Sequence, residues 1–597
     1  RGILGMYLLA LRYNEEPSGG GRFDGYEIHE ERLGSRLLTI VTDGRYSSLE
    51  KRADRYRVSD TIDPSSAGPG RILRSEVVVS GRFDTIEIAT FAMGCPVVYY
   101  VIEADGSFYA ATHVRLLREA GVTIAENREV LPELFTYGYV CPPATMYRNV
   151  ERLVLAERVR FKRGNGRYEI ESRQLYRPDR DERHDPPASL ESAADATIDA
   201  LASAIRSLRR VDGEVAVPLS GGIDSSIMWA LSHRELGVRE SYSVSYPFED
   251  PSRDREIQYA ESAAKALGAV HQHYKVTREQ FLQAVVHGIS AAEEPIHVQA
   301  PLFLLQYASG LPSSARILVS GAGADGRHGK RFLQKIRVAS DQWPTRWANA
   351  RPDLSRRLEQ FLGSLGIRTK RLGFVNASNL PTDDPGHIAW MFDLSGDKGW
   401  VRDHFGIEPP GDAPGRAGLI HRLREYDPYD LVSFMDLYAN VSVFQGIWAK
   451  MAETQGRGLF CPFLSIPAMD AAYSVPWAEK LVDLKGILRV VCHRLGLPEF
   501  IVSRAKSGLG ISSTFWAARG GALEPLVPLA KGVFDIEVIR RVQRRPDNRK
   551  AAILWCILNY SIWKRLLIDE EPLETLVEEI DLTSLDSTRR PAQWKRA

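Results

Sequence analysis

Glu214-Val-Ala-Val-Pro-Leu219 runs straight into Ser220-Gly221-Gly222-Ile223-Asp224-Ser225-Ser226, an apolar run that ends in a Gly/Ser-rich turn. The first six residues form an apolar strand pattern, and Ser225 to Glu235 continues as a helix. A strand-to-helix turn aims free backbone N–H groups and the positive helix end at one spot, which suits a polyphosphate. Two glycines let the backbone approach phosphates with no Cβ in the way. Ser220, Ser225 and Ser226 add hydroxyl donors, and Asp224 supplies a carboxylate for the Mg2+ that accompanies a nucleotide. No Lys-Ser/Thr pair follows the glycines, so this is not a Walker loop.

Working outward, Glu240 to Tyr246 and Arg316 to Ser320 read as further strands, with a helix at Glu256 to Leu267. Strands alternating with helices imply a parallel sheet covered by helices. Upstream, Gly34–Thr42, Arg74–Val79, Val97–Ile102 and Val154–Lys162 are apolar or alternating runs separated by turns, a β-rich texture. Tyr176 to Pro187 is polar and proline-bearing, the best linker in the chain. A helix follows it, with Leu190, Ala194, Ile198, Leu201, Ile205 and Leu208 on one buried face. Beyond about residue 430 the pattern is mostly helical, residues 340–425 are irregular, and the last twenty or so are polar. The expected organisation is α/β: a β-rich unit over 1–178, a parallel-sheet unit with a helical C-terminal part over 188–575, and a tail over 576–597.

Composition bounds the function. The 597 residues carry 77 Lys+Arg against 76 Asp+Glu, a net charge of +1, with 44% hydrophobic and 26% charged residues. That is ordinary for a globular chain and excludes collagen-like, disulfide-stapled or wholly disordered classes. The near-neutral balance argues against a nucleic-acid-binding protein. Cys95, Cys141, Cys461, Cys492 and Cys556 show no metal-ligand spacing and read as buried small hydrophobes. Ala551 to Trp563, bounded by Lys550 and Lys564, is far short of the roughly 20 residues a membrane span needs and reads as a core helix. The apolar start, Arg1 to Leu11, lacks a small-residue cleavage site and reads as a buried strand, so the expected location is cytoplasmic.

Ser-Gly-Gly-x-Asp-Ser resembles the pyrophosphate loop of the ATP pyrophosphatases, the superfamily of asparagine synthetase and β-lactam synthetase. That resemblance implies ATP cleavage between the α and β phosphates, with AMP passed to a carboxylate. Val319-Ser320-Gly321-Ala322-Gly323-Ala324-Asp325 is similar to the asparagine synthetase segment Leu-Ser-Gly-Glu-Gly-Ala-Asp, placing Asp325 as the second Mg2+ carboxylate. The same segment matches G-x-G-x-x-G, with the acidic Asp341 beyond it, a weak dinucleotide-binding pattern. Lys485-Gly-Ile-Leu-Arg489 resembles the family's Lys-x-x-Leu-Arg helix start. Arg504-Ala-Lys506-Ser-Gly508 resembles its Arg-x-Lys-x-Gly turn, whose lysine meets the reacting phosphate. Tyr242-Ser243-Val244 resembles the strand whose backbone receives adenine, and Glu293-Glu294-Pro295 a segment on the carboxylate side. The resemblance implies ATP and Mg2+ as cofactors. The implied nucleotide contacts are Leu219, Ser220, Gly221, Gly222, Asp224, Ser225, Ser226, Val244, Ser320, Gly321 and Asp325, with Asp224 and Asp325 on the metal. Lys506, Lys485, Glu294 and His297 are the catalytic candidates, the last two as bases.

Departures from the family narrow the branch. Leu134 to Val140 and the strand-rich run to Lys162 resemble the end of a class II glutamine amidotransferase domain. Arg1-Gly2-Ile3-Leu4-Gly5 overlays that domain's opening Cys-Gly-Ile-x-Gly, but Arg1 cannot act as the thiolate nucleophile of a glutaminase. This implies a glutaminase scaffold of αββα type without its reaction. Ala322 stands where asparagine synthetase has a glutamate and the β-lactam-forming branch a tyrosine. A lasso peptide cyclase fits both departures. Its expected partners are a precursor peptide, a leader-peptide-binding protein and a leader peptidase, with no nucleic acid and no membrane span. A β-lactam synthetase-like ligase of small molecules is the alternative.

Overall fold

Val159 and Phe161 are buried while Arg158, Arg160 and Lys162 are exposed, the period-two pattern of a strand with one face on a core. The computed structural model describes residues 6–13, 23, 25–44, 47–53, 55–61, 73–178, 189–211, 213–245, 254–296, 310–329, 398–405, 414–426, 428–504, 516–544 and 546–582, with isolated positions between 334 and 362. Arg1, His297, Asp341, Lys506 and most of the linker and tail lie outside the described residues.

Up to Leu175 the strands are β1 (Tyr7–Tyr13), β2 (Glu27–Leu33), β3 (Arg36–Thr42), β4 (Ser47–Arg52), β5 (Arg55–Thr61) and β6 (Leu73–Ser80), then β7 (Thr85–Thr90), β8 (Tyr99–Ile102), β9 (Phe108–Ala111), β10 (Glu151–Arg152), β11 (Glu157–Gly164) and β12 (Arg167–Leu175). They form two antiparallel sheets, in the orders β10-β8-β9-β1-β3-β2 and β12-β11-β7-β6-β5-β4. Leu9, Leu11, Leu38 and Ile40 of the first sheet pack against Val58, Val77, Ile88 and Phe161 of the second. The other face of the first sheet, with Leu8, Ala10, Val41 and Ala111, packs beneath helices α1 (Val114–Glu119) and α2 (Leu131–Tyr137). From Tyr7 the apolar start is the buried strand β1, flanked by β3 and β9, and Arg1 to Gly5 lie outside the described residues. The run expected to begin at Gly34 starts instead at Arg36, because Gly34, at φ +62, makes the turn that pairs β2 with β3.

The second part opens with α3 (Leu190–Ser207), whose first turn is capped by the Ser189 hydroxyl accepting from Ser192 N–H. Then come β13 (Glu214–Ala216), α4 (Ile223–Leu236), β14 (Glu240–Ser245), α5 (Asp254–Leu267), β15 (Val270–Lys275), α6 (Arg278–Ala292), β16 (Ala315–Val319), α7 (Ser442–Thr454), β17 (Gly458–Phe460), α8 (Gly486–Arg494) and α9 (Asn548–Trp563). β13 stops short of the expected Leu219 because Pro218 has no N–H for the ladder. Pro218 still bridges Tyr242 in parallel, and Leu219 N–H donates to the Tyr242 carbonyl at 2.8 Å. The five strands thus form one parallel array ordered β15-β14-β13-β16-β17.

The apolar run at the C-terminal side continues through a wider turn to Ile568. This makes a 21-residue helix long and apolar enough for a membrane span, yet 72% of its most apolar stretch is buried inside the protein. It is a core helix, packed through Trp555, Leu558 and Trp563 into a cluster that also contains Leu134, Phe135 and Tyr147 of the β-rich part. All five cysteines are buried free thiols.

Buried ion pairs join the two parts. Glu293, which ends α6, accepts from Lys450 Nζ at 2.8 Å and from the Val114 and Arg115 N–H groups at 2.9 and 3.2 Å. Burial alone would raise its pKa, but Lys450 and Arg115 hold the carboxyl below its usual range. Arg74 pairs with Glu453 in the same way.

Candidate active site

In the strand order, β13 and β16 are neighbours, and the chain leaves them toward opposite edges of the sheet. Ligands of open α/β sheets bind at this reversal, outside the carboxyl ends of the strands. The two segments singled out in the sequence lie at that place. Ser220–Asp224 follows β13, and Ser320–Asp325 follows β16.

The first loop is held open by its own serines. Ser220 N–H donates to Ser225 Oγ at 3.1 Å, the two hydroxyls are 3.0 Å apart, and Ser225 Oγ donates to the Gly222 carbonyl at 3.2 Å. Gly222 takes the cap position of α4 with extended backbone and no side-chain cap. The amides that open α4 therefore receive no side-chain acceptor, as an anion site requires. Gly221 is at φ +70, and a Cβ there would stand 2.5 Å from the Tyr259 carbonyl oxygen of α5. Ser226 departs from expectation. It is fully buried, its N–H donates to the Gly222 carbonyl at 3.0 Å, and its hydroxyl has no hydrogen-bond partner. Helical periodicity turns it inward, away from the rim, so it offers no donor to a ligand. Leu219 is buried as well and contributes backbone only.

The second loop is pressed against the first. A Cβ on Gly321 would come within 3.0 Å of the Asp224 Cβ. Gly323, at φ +94, turns where a side chain would lie 2.6 Å from Leu464, and a Cβ on Gly326 would collide with the Asp436 carboxylate. Each glycine of G-x-G-x-x-G thus sits where a neighbour of this domain packs close, with Gly323 also held in the left-handed region. Ser320 N–H continues the β17 pairing through the Phe460 carbonyl at 2.9 Å, and its hydroxyl accepts from Ala322 N–H at 3.2 Å. Ala322 itself is half-buried against the core. His328 is sealed inside with Nδ1 donating to the Ala324 carbonyl at 2.8 Å, and burial pushes its pKa down to about 3.

Lys485 ties the loops together. Its ammonium lies 2.8 and 2.6 Å from the two oxygens of Asp224 and 2.7 Å from Asp325. Burial works against the charge, but the two carboxylates outweigh it and raise the lysine's pKa. Arg504 adds a contact not assigned from the sequence. Its Nη1 donates to the Ser220 carbonyl at 2.8 Å, and its guanidinium stacks 4.0 Å from the Tyr259 ring. The Arg-x-Lys-x-Gly segment therefore begins at the edge of the loop. Tyr259 carried no sequence signal, since an aromatic on a helix is most often packing. Val244 lies on β14, and continuing the Pro218–Tyr242 register brings it level with Ser220.

Glu294, a candidate base, has its carboxylate bound on the side of the β-rich part. One nitrogen of Arg152 lies 2.8 Å from both its oxygens, and Tyr99 O–H donates to it at 2.8 Å. A carboxylate so engaged, and buried, has no oxygen directed at a reacting amine. It belongs to the joint between the two parts.

The profile of the asparagine synthase family matches residues 196–563, more than half of the chain. The chain belongs to the asparagine synthase family. No curated protein matches it as a relative. Membership makes the protein an ATP-dependent amide ligase of mixed α/β fold, and the matched span contains both loops, Lys485 and Arg504. The asparagine synthase segment begins within α3 and ends at the last residue of α9, so it takes in the core helix that packs on α2.

Proposed function

We propose that this asparagine synthase family member is a lasso peptide cyclase working in the cytoplasm. In this reading an Asp or Glu side-chain carboxylate of a precursor peptide attacks the α-phosphorus of ATP. The bond to the bridging oxygen breaks, pyrophosphate leaves, and a mixed acyl–AMP anhydride forms. The peptide's N-terminal amine then attacks the acyl carbon, AMP leaves with the bonding pair, and the nitrogen loses a proton to give the macrolactam amide. Ser220, Gly221, Gly222 and Ser225 hold the pyrophosphate, and the backbone at Leu219 and Val244, with Ser320 and Gly321, frames the nucleotide. Asp224 and Asp325 fit Mg2+, since two hard carboxylates plus phosphate oxygens are its usual donor set. Bound there, the metal offsets negative charge on the phosphates. Lys485 steers phosphate, and Lys506 meets charge that grows in the transition state.

The observation that carries the reading is the half-buried Ala322 beside Asp325, together with Glu294 locked on Arg152. Neither position supplies a base for an external amine. Ring closure within one peptide needs less, because holding the amine at the carbonyl contributes roughly 7–11 kcal/mol. His297 remains the candidate to take the proton. The β-rich part up to residue 178 acts as a scaffold against the ligase part, 188–575. Partners in this reading are a leader-peptide-binding protein and a leader peptidase of the same pathway.

The test is pyrophosphate release with synthetic precursor peptides. A peptide with a free N-terminus and an acceptor Asp or Glu is expected to release pyrophosphate and lose one water in mass. The Asn or Gln peptide is expected to do neither. Asp224→Asn and Asp325→Asn should each abolish release while melting like the wild type. Turnover with amino-acid substrates and none with peptides would replace this reading with that of a β-lactam synthetase-like ligase.

A further inference from the structure

Lys485 sits where two negative loops meet. Its ammonium is within 2.8 Å of both Asp224 oxygens and 2.7 Å of Asp325, and its side chain is only 13% exposed. The lysine is mounted on the same frame as one of these partners. Its N–H donates to the His328 carbonyl at 2.9 Å, and His328 Nδ1 donates to the Ala324 carbonyl beside Asp325. Its backbone, at φ +66, opens α8 from the left-handed region. An ammonium this close takes up part of the two carboxylates that would hold Mg2+, and its charge opposes a second cation beside it. Each carboxylate keeps further lone pairs, so the ammonium competes with the metal chiefly by charge repulsion and by the faces it already takes.

We propose that Lys485 is a tethered counter-ion for Asp224 and Asp325 that yields its place to the metal only when a nucleotide arrives. The inference rests on the reading of these two carboxylates as the metal pair. Without the ammonium, two facing carboxylates repel each other. With it, free divalent metal must displace a cation that the fold holds at high local concentration. Nucleotide phosphate changes the balance by giving the displaced ammonium a new anionic partner. Metal and nucleotide binding are then coupled through one side chain, and coupling of this kind is reciprocal. The same lysine that steers phosphate thereby excludes metal that comes alone.

The experiment measures Mn2+ affinity of the full-length protein by electron paramagnetic resonance, with and without α,β-methylene-ATP. Wild type is expected to bind Mn2+ weakly alone and about tenfold or more tightly with the analogue. Lys485→Gln should bind Mn2+ about tenfold more tightly than wild type without nucleotide, and the analogue should then add little. Lys485→Arg keeps the charge and should bind Mn2+ alone as weakly as wild type. Adding Asp325→Asn to Lys485→Gln should remove the gain, which places the metal on this pair. Melting curves check that each variant is folded. If Lys485→Gln binds Mn2+ alone no better than wild type, while Asp325→Asn abolishes binding with the analogue, the counter-ion inference falls and the metal reading stands. If Asp325→Asn leaves Mn2+ binding with the analogue intact, both fall.

Discussion

At Gly221 and Gly222 the same residue type answers two different demands. Gly221 is at φ +70 and has the Tyr259 carbonyl where a Cβ would go, so the fold itself requires it. Gly222 is at φ −88, and the nearest atom to a Cβ there is Ser220 Oγ at 3.4 Å, an ordinary contact. The fold does not require glycine at the second position, so the proposed phosphate site is what would need it there. Gly221→Ala should therefore lower the melting midpoint, since a left-handed alanine costs roughly 1–2 kcal/mol before the clash is counted. Gly222→Ala should melt like the wild type and yet raise the KM for ATP by about tenfold, the effect of some 1.4 kcal/mol of lost phosphate contact. An unchanged KM in a folded Gly222→Ala would take the phosphates away from this loop. At this scale the sequence is legible where the backbone demand is plain, as at Gly221. It misled at Ser226, whose type suits phosphate but whose helical phase turns it into the core.

The elements were legible where one physical pattern dominates. α3 follows from its three-and-four spacing of apolar residues, and β11 from its alternation. β13 was overextended because apolar content does not register the missing N–H of Pro218. Helix α2 holds a feature that pattern could not show. Glu133 is wholly buried, with one oxygen accepting the Cys141 N–H at 2.9 Å and the other without a hydrogen-bond partner. Burial pushes its pKa from 4.5 up to about 8, against the opposing pull of the Cys141 N–H and Arg416. A carboxyl whose folded pKa lies above its unfolded value keeps its proton in the fold and loses it on unfolding. Its stabilising contribution is full below about pH 4.5 and disappears as pH rises toward about 8. Glu133→Gln keeps the acceptor for Cys141 and cannot ionise. It should match the wild type at pH 4.5 and be more stable at pH 8 by about 1 kcal/mol or more. Denaturant titrations at the two pH values check this, and parallel curves for the two proteins would mean that Glu133 ionises freely in the fold.

For the whole molecule, the decisive contacts join residues far apart in the chain, and the partners of Glu294 are among them. Glu293-Glu294-Pro295 looks like a substrate-side motif, but Glu294 faces Arg152 and Tyr99 across the joint between the β-rich part and the ligase part. Glu293 accepts the Val114 and Arg115 N–H groups across it while pairing with Lys450 of its own part. Nothing near residue 294 in the sequence announces Arg152. The joint also shares one apolar cluster, beside the separate cluster that each part buries by itself. Removing one member of a buried pair strands the other charge and typically costs about 3–5 kcal/mol, whereas removing both is often nearly neutral. Glu294→Gln and Arg152→Met should each lower the unfolding midpoint strongly. The double variant should regain most of the loss, because Gln still accepts from Tyr99 and no charge is left unpaired. At temperatures where the variants are folded, kcat and its pH profile should stay at wild-type values, the outcome expected of a carboxylate that serves only the joint. A Glu294→Gln enzyme that melts like the wild type but loses kcat, with an altered acidic limb, would return this carboxylate to the active site as a base.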